Sequence, residues 1–103
     1  MLIKAVIIKP KHAPKITEIE DDLYTYQKIV DGYVEAVRIS KEITALVNEE
    51  GKLLGMSPNL SIGYTTIVGP AIFVRDRGDV TYESLTDKQI DEVLEIYKEG
   101  RLC

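Results

Sequence analysis

A chain of 103 residues, 45% hydrophobic and 29% charged, is one globular domain long enough to bury a core without covalent staples. A net charge of −4 excludes a nucleic-acid binder that works by neutralising phosphates. The single cysteine, Cys103, excludes a disulfide framework and a cysteine-rich metal site, and a terminal thiol fits a reducing compartment.

Leu2 to Ile8 is rich in β-branched residues and apolar on both faces, which predicts an interior strand. It is too short, and too broken by Lys4, for a signal peptide, and no run reaches the ~20 apolar residues of a membrane span. The expected location is therefore the cytoplasm. Pro10 to Pro14 is a turn, and Lys15 to Glu20 a short strand partnering the first. Asp21 or Asp22 can cap a helix carrying Leu23, Tyr26, Ile29 and Val30 at helical spacing and stopping at Gly32. Val34–Ile39 and Ile43–Val47 return to β character. A short third run, Lys52-Leu53-Leu54, predicts a hairpin with Ile43–Val47 through a Glu49-Glu50-Gly51 tip, with the glycine left-handed.

Ser57-Pro58-Asn59 reads as a cap and first helical turn. Thr65 to Val74 is a strand interrupted by Gly69-Pro70, and proline there places it at an edge or bulge. Thr86-Asp87-Lys88-Gln89 is a capping box, with Leu85 and Ile90 spaced as a hydrophobic staple. Ile90, Val93, Leu94 and Tyr97 then make one apolar stripe, stopped by Gly100. The expected architecture is α+β: an antiparallel or mixed sheet, order roughly β-β-α-β-β-β-β-α, with both helices on one face.

Catalytic chemistry has little foothold. His12 is the only histidine and lies in a turn, no serine has a nucleophile-elbow setting, and phosphate-cradling glycine loops are absent. No cofactor or metal is expected. The better candidates are contact residues. Asn48, Glu49, Glu50, Lys52 and Asn59 bracket the charged tip as a presented surface. Glu35 stands among apolar neighbours and needs a cation if it turns inward. The chain has six tyrosines, and Tyr24, Tyr33 and Tyr64 fit an interface better than the core-edge Tyr26 and Tyr97.

Ile7-Ile8-Lys9-Pro10, Ile29-Val30-Asp31-Gly32-Tyr33-Val34-Glu35, Asn48-Glu49-Glu50-Gly51-Lys52-Leu53, Pro58-Asn59, Ile67-Val68-Gly69 and Ser84-Leu85-Thr86-Asp87 together resemble domain of unknown function 3846. The resemblance implies a small protein of phages, plasmids and other mobile elements, with no assigned catalytic site. Its characteristic positions fall on Gly32, Tyr33, Glu35, Asn48, Glu49, Gly51, Lys52 and Asn59.

Two functions follow as expectations. One is a non-enzymatic accessory protein that binds a host protein, for example to antagonise host defence, through Tyr33, Glu35, Asn48, Glu49, Glu50, Lys52, Asn59 and Tyr64. The other is a nucleotide-signal binder, with Lys52, Arg75 and Arg77 on phosphates and Tyr33 or Tyr64 stacked on a base. An edge within Thr65–Val74 is a route to a homodimer.

Overall fold

The computed structural model describes residues 1–102; Cys103, with the reading of its thiol, lies outside them. Strands β1 (Leu2–Ile8) and β2 (Lys15–Glu20) precede helix α1 (Leu23–Val30). Strands β3 (Val34–Arg38), β4 (Ile43–Asn48), β5 (Pro58–Ile62), β6 (Thr65–Val68) and β7 (Ala71–Arg75) follow, and helix α2 (Asp87–Gly100) closes the fold. The fold is α+β, as the local chemistry predicts. Five strands form an antiparallel sheet in the order β2-β1-β7-β4-β3, and β5 and β6 form a separate hairpin.

The helices lie on opposite faces of the large sheet, not on one. Ile3, Ala5, Leu46, Ile72 and Val74 pack with Tyr26 and Val30 of α1. The alternate residues Val6, Ile8, Ile43, Ala45, Ala71 and Phe73 pack with Ile90 and Val93 of α2, and with Leu60 and Ile67 of the hairpin. Interior strands that are apolar on both faces need a cover on each, and β4 is buried at all six positions.

Local chemistry fixes the helix ends. Asp22 caps α1 by accepting from the Thr25 N–H at 2.7 Å, which also holds its carboxyl below the ordinary range. The left-handed residue after α1 is Asp31 (φ 62), ahead of Gly32. Thr86 and Gln89 make the reciprocal capping box of α2, and Leu85 and Ile90 are both buried.

Asp21 accepts from the Tyr26 hydroxyl at 2.5 Å, and the Tyr26 ring meets Tyr82 edge-on, with centroids 5.9 Å apart. Burial, then donation to Asp21, pushes the Tyr26 phenol well above the usual tyrosine value; burial also raises Tyr82. The raised folded-state values give stability that is complete below pH about 10, where the unfolded tyrosines keep their protons, and is lost as pH rises further. Urea unfolding across about pH 9 to 12 is expected to show that decline, and to show it weakened in Tyr26→Phe.

Three loop expectations are corrected. Residues 52–54 are not a strand: the Leu54 N–H donates to Glu50 O at 2.8 Å and the Gly55 N–H to Lys52 O at 3.2 Å, so local turns consume the backbone. The partners of β4 are β3 and β7. Pro58 opens β5 rather than a helical turn, and the register slips between Pro58 and Leu60, so Asn59 is a bulge residue. The Thr65–Val74 run is two strands. Gly69, with φ 72, and Pro70 carry the chain from the hairpin into the middle of the large sheet, where β7 is interior. The edges of that sheet are β2 and β3.

Candidate functional site

The hairpin covers only part of its face. Among the described residues strand β6 pairs with β5 alone and β3 pairs with β4 alone, so each has an edge without a strand. Between them lies a groove of about 480 Å³. Its walls are Glu35 and Val37 of β3 and Thr65, Thr66, Ile67 and Val68 of β6. Val47 lies at its base, and the turn from Asn48 to Leu53 closes one end. Register explains the placement: Glu35 lies opposite Val47 and Val37 opposite Ala45, so both project to the hairpin side.

The turn is held by a residue that looks like a surface polar group in the sequence. Asn48 is buried. Its Nδ2 donates to Val30 O and Asp31 O, each at 3.1 Å, and its Oδ1 accepts from the Glu50 N–H at 2.7 Å. One side chain thus joins the end of α1 to the start of the turn. Gly32 makes room for it, since a Cβ there falls 2.6 Å from Asn48 Nδ2. Gly51 is not left-handed; it is needed because Val68 packs within 2.9 Å of where its Cβ would stand.

A family model described as a domain of unknown function, DUF3846, matches residues 3–98. The chain belongs to that family. No curated protein and no solved structure matches it.

The DUF3846 fold separates the sequence-predicted site residues into two groups. Glu35, Glu49, Glu50 and Lys52 come together on the groove and are exposed. Tyr33 is 67% exposed just before β3, and its carbonyl accepts from the Glu49 N–H at 2.8 Å, which ties it to the rim. Tyr64 is fully exposed in the two-residue hairpin turn, next to Thr65 of the wall. Asn48 and Asn59 do not present a surface. Asn59 is buried, with Nδ2 donating to Ile8 O at 2.9 Å and Gly69 O at 2.8 Å. The bulge aims it inward, where it fastens β1 to the β6–β7 crossing.

The predicted phosphate cluster is not assembled. Arg75 pairs with Glu42 at 3.1 Å, Arg77 lies 3.9 Å from Glu83, and both stand at the Ile43 end of β4. Lys52 follows the other end, roughly 17 Å away along a strand rising ~3.4 Å per residue. His12 lines a different groove. Among the described residues no group of three or more His, Cys, Asp or Glu is placed to hold a metal ion, and no helix is long and apolar enough to cross a membrane.

The sequence reading missed Val37, Thr65 and Thr66 as groove residues, and Leu53 as part of its rim. A signal existed: Thr65 and Thr66 follow Gly63-Tyr64, a two-residue turn with a left-handed glycine first, which makes them the start of a hairpin strand. Leu53 and Leu54 are 83% and 61% exposed beside the carboxylates, an apolar tip with no core to serve.

Proposed function

We propose that this DUF3846 protein is a non-enzymatic binding module that takes an extended, basic segment of another protein into the β3–β6 groove. The observation that carries this reading is a groove between the hairpin-side face of β3 and β6, whose outer edge has no strand partner among the described residues, apolar at its base and acidic at its rim. An added strand satisfies backbone groups along such an edge, while side-chain pockets give specificity. Val37, Val47, Ile67 and Val68 offer the apolar contacts. Three carboxylates, Glu35, Glu49 and Glu50, face one ammonium, Lys52, and among the described residues none of the four has an ion-pair partner. That imbalance favours lysine or arginine on the incoming segment. Exposed Leu53, Leu54, Tyr33 and Tyr64 extend the contact surface.

In this reading the partner is a host protein, met in the cytoplasm of the cell in which a phage or other mobile element expresses the chain. Antagonism of host defence is the specific form the proposal takes. The family resemblance supports that setting, and the rim supports a protein partner over a small ligand.

The combined Glu35→Lys, Glu49→Lys and Glu50→Lys variant tests it. All three side chains are exposed and unpaired, so each substitution is expected to change stability by no more than about 0.5 kcal/mol. Host proteins retained specifically by the wild type in a pull-down are expected to be lost. Equal retention of the same proteins by the variant contradicts the proposal.

A further inference from the structure

On the α1 face, at the opposite edge of the sheet, a second groove of about 470 Å³ has the reverse charge. Lys9, His12, Lys15 and Lys28 line it, with Ile7 and Ile29 as apolar contacts, and among the described residues no carboxylate lines it. This segregation occurs in a chain of net charge −4. The three lysines come from three separate places: the end of β1, the start of β2 and the last turn of α1. Among the described residues none of them, nor His12, has a carboxylate within 4.0 Å. Ammonium groups gathered without counter-charge repel one another, so an anion placed among them is stabilised by all of them at once.

The turn is built to hold this shape. Lys11 adopts φ 64, an uncommon conformation for a lysine, and the His12 N–H donates to Lys9 O at 3.1 Å. His12 Nδ1 lies 2.8 Å from Pro10 O, a partner that can only accept, so Nδ1 is the donor and the contact holds the ring against the turn. The volume falls within the range of small-molecule sites, and a convergent charged set beside apolar side chains is their usual composition.

We infer that this groove binds a small phosphorylated ligand whose phosphates are held by Lys9, Lys15 and Lys28 and whose apolar or planar portion lies against Ile7 and Ile29. The inference is independent of the acidic groove. It gives a phosphate site to residues other than Lys52, Arg75 and Arg77. An acidic peptide is the competing occupant. The adjoining isoleucines favour a ligand with an apolar part over a run of carboxylates.

Titration calorimetry with the intact protein decides it, using inorganic phosphate, tripolyphosphate, a nucleoside triphosphate and a glutamate-rich peptide as probes. The nucleoside triphosphate is expected to bind saturably, one per chain, more tightly than the other three and less tightly as salt is raised. Lys15→Gln combined with Lys28→Gln is expected to weaken it by about tenfold or more, because two charge-assisted contacts are lost. Both positions are exposed, so the fold is retained. Lys52→Gln, on the other groove, is expected to leave binding unchanged. Absence of saturable binding, equal affinity for tripolyphosphate, tighter binding of the peptide, or equal loss in Lys52→Gln overturns the inference.

Discussion

Replacing Asn48 with alanine is expected to destabilise the domain by about 2–4 kcal/mol, a large share of the 5–15 kcal/mol that holds a domain of this size. The substitution deletes three hydrogen bonds and leaves Val30 O, Asp31 O and the Glu50 N–H without their partner. A buried polar group left unpaired costs more than a hydrogen bond contributes, so the loss exceeds that of an ordinary surface asparagine. Asn48→Asp is the sharper variant. It keeps the shape but turns the amide that faces two carbonyl oxygens into a third acceptor. Urea unfolding at neutral pH is expected to show Asn48→Asp at least as destabilised as Asn48→Ala. Wild-type stability in Asn48→Asp contradicts the assignment. The effect reaches the acidic groove through the turn: without Asn48, residues 49–53 lose a tie to the end of α1 at the groove's closed end.

Gly100→Ala is expected to destabilise the protein by about 1–3 kcal/mol, the cost of overpacking a tight contact. Helix propensity alone predicts the opposite sign, since Ala exceeds Gly by about 1 kcal/mol inside a helix. The contact wins because a Cβ at this last residue of α2 overlaps the carbonyl oxygen of Ser61, which belongs to the backbone of β5 and cannot swing aside. Close approach here lets the chain add to the hairpin: Arg101 bridges Leu60, and the Leu102 N–H donates to Asn59 O at 2.9 Å. Forcing α2 away from β5 therefore shifts β6 and reshapes a groove whose lining residues are untouched. Thermal or urea unfolding reads the sign directly. A stabilised Gly100→Ala shows that the helix end is free of β5.

What the sequence discloses is what neighbouring residues decide among themselves. The cap at Asp22, the capping box of Thr86 and Gln89 and the staple of Leu85 and Ile90 involve partners within a few positions, and the structure reproduces them. The α+β class follows from the same periodicities. Long-range pairing is another matter. The β7 strand lies between β1 and β4 because Phe73 opposes both Val6 and Ala45, and neither partner is near it in the chain. The apolar character of both faces of β1 points to an interior strand but not to helices on opposite faces, because the face each helix covers depends on its crossover.

The candidate site was half legible for the same reason. Glu49, Glu50 and Lys52 read as exposed charges and are exposed, while Glu35, whose neighbours leave both orientations open, faces solvent. Asn48 and Asn59 carry the turn chemistry of surface residues, but their acceptors lie as far away as Val30 and Ile8. Leu53 and Leu54 read as a hairpin strand because they follow a glycine-bearing tip after an apolar run. The turns that close on Glu50 and Lys52 hold them in solvent instead.

The binding role proposed for the groove between β3 and β6 can be tested with peptides alone. Random peptides displayed against the intact protein are expected to yield a consensus alternating apolar and basic residues. Amide hydrogen exchange with a selected peptide bound is expected to slow within residues 34–38 and 65–68 and to stay unchanged along β2, the other edge of the sheet. Peptides without basic residues, or protection confined to β2, would contradict the account.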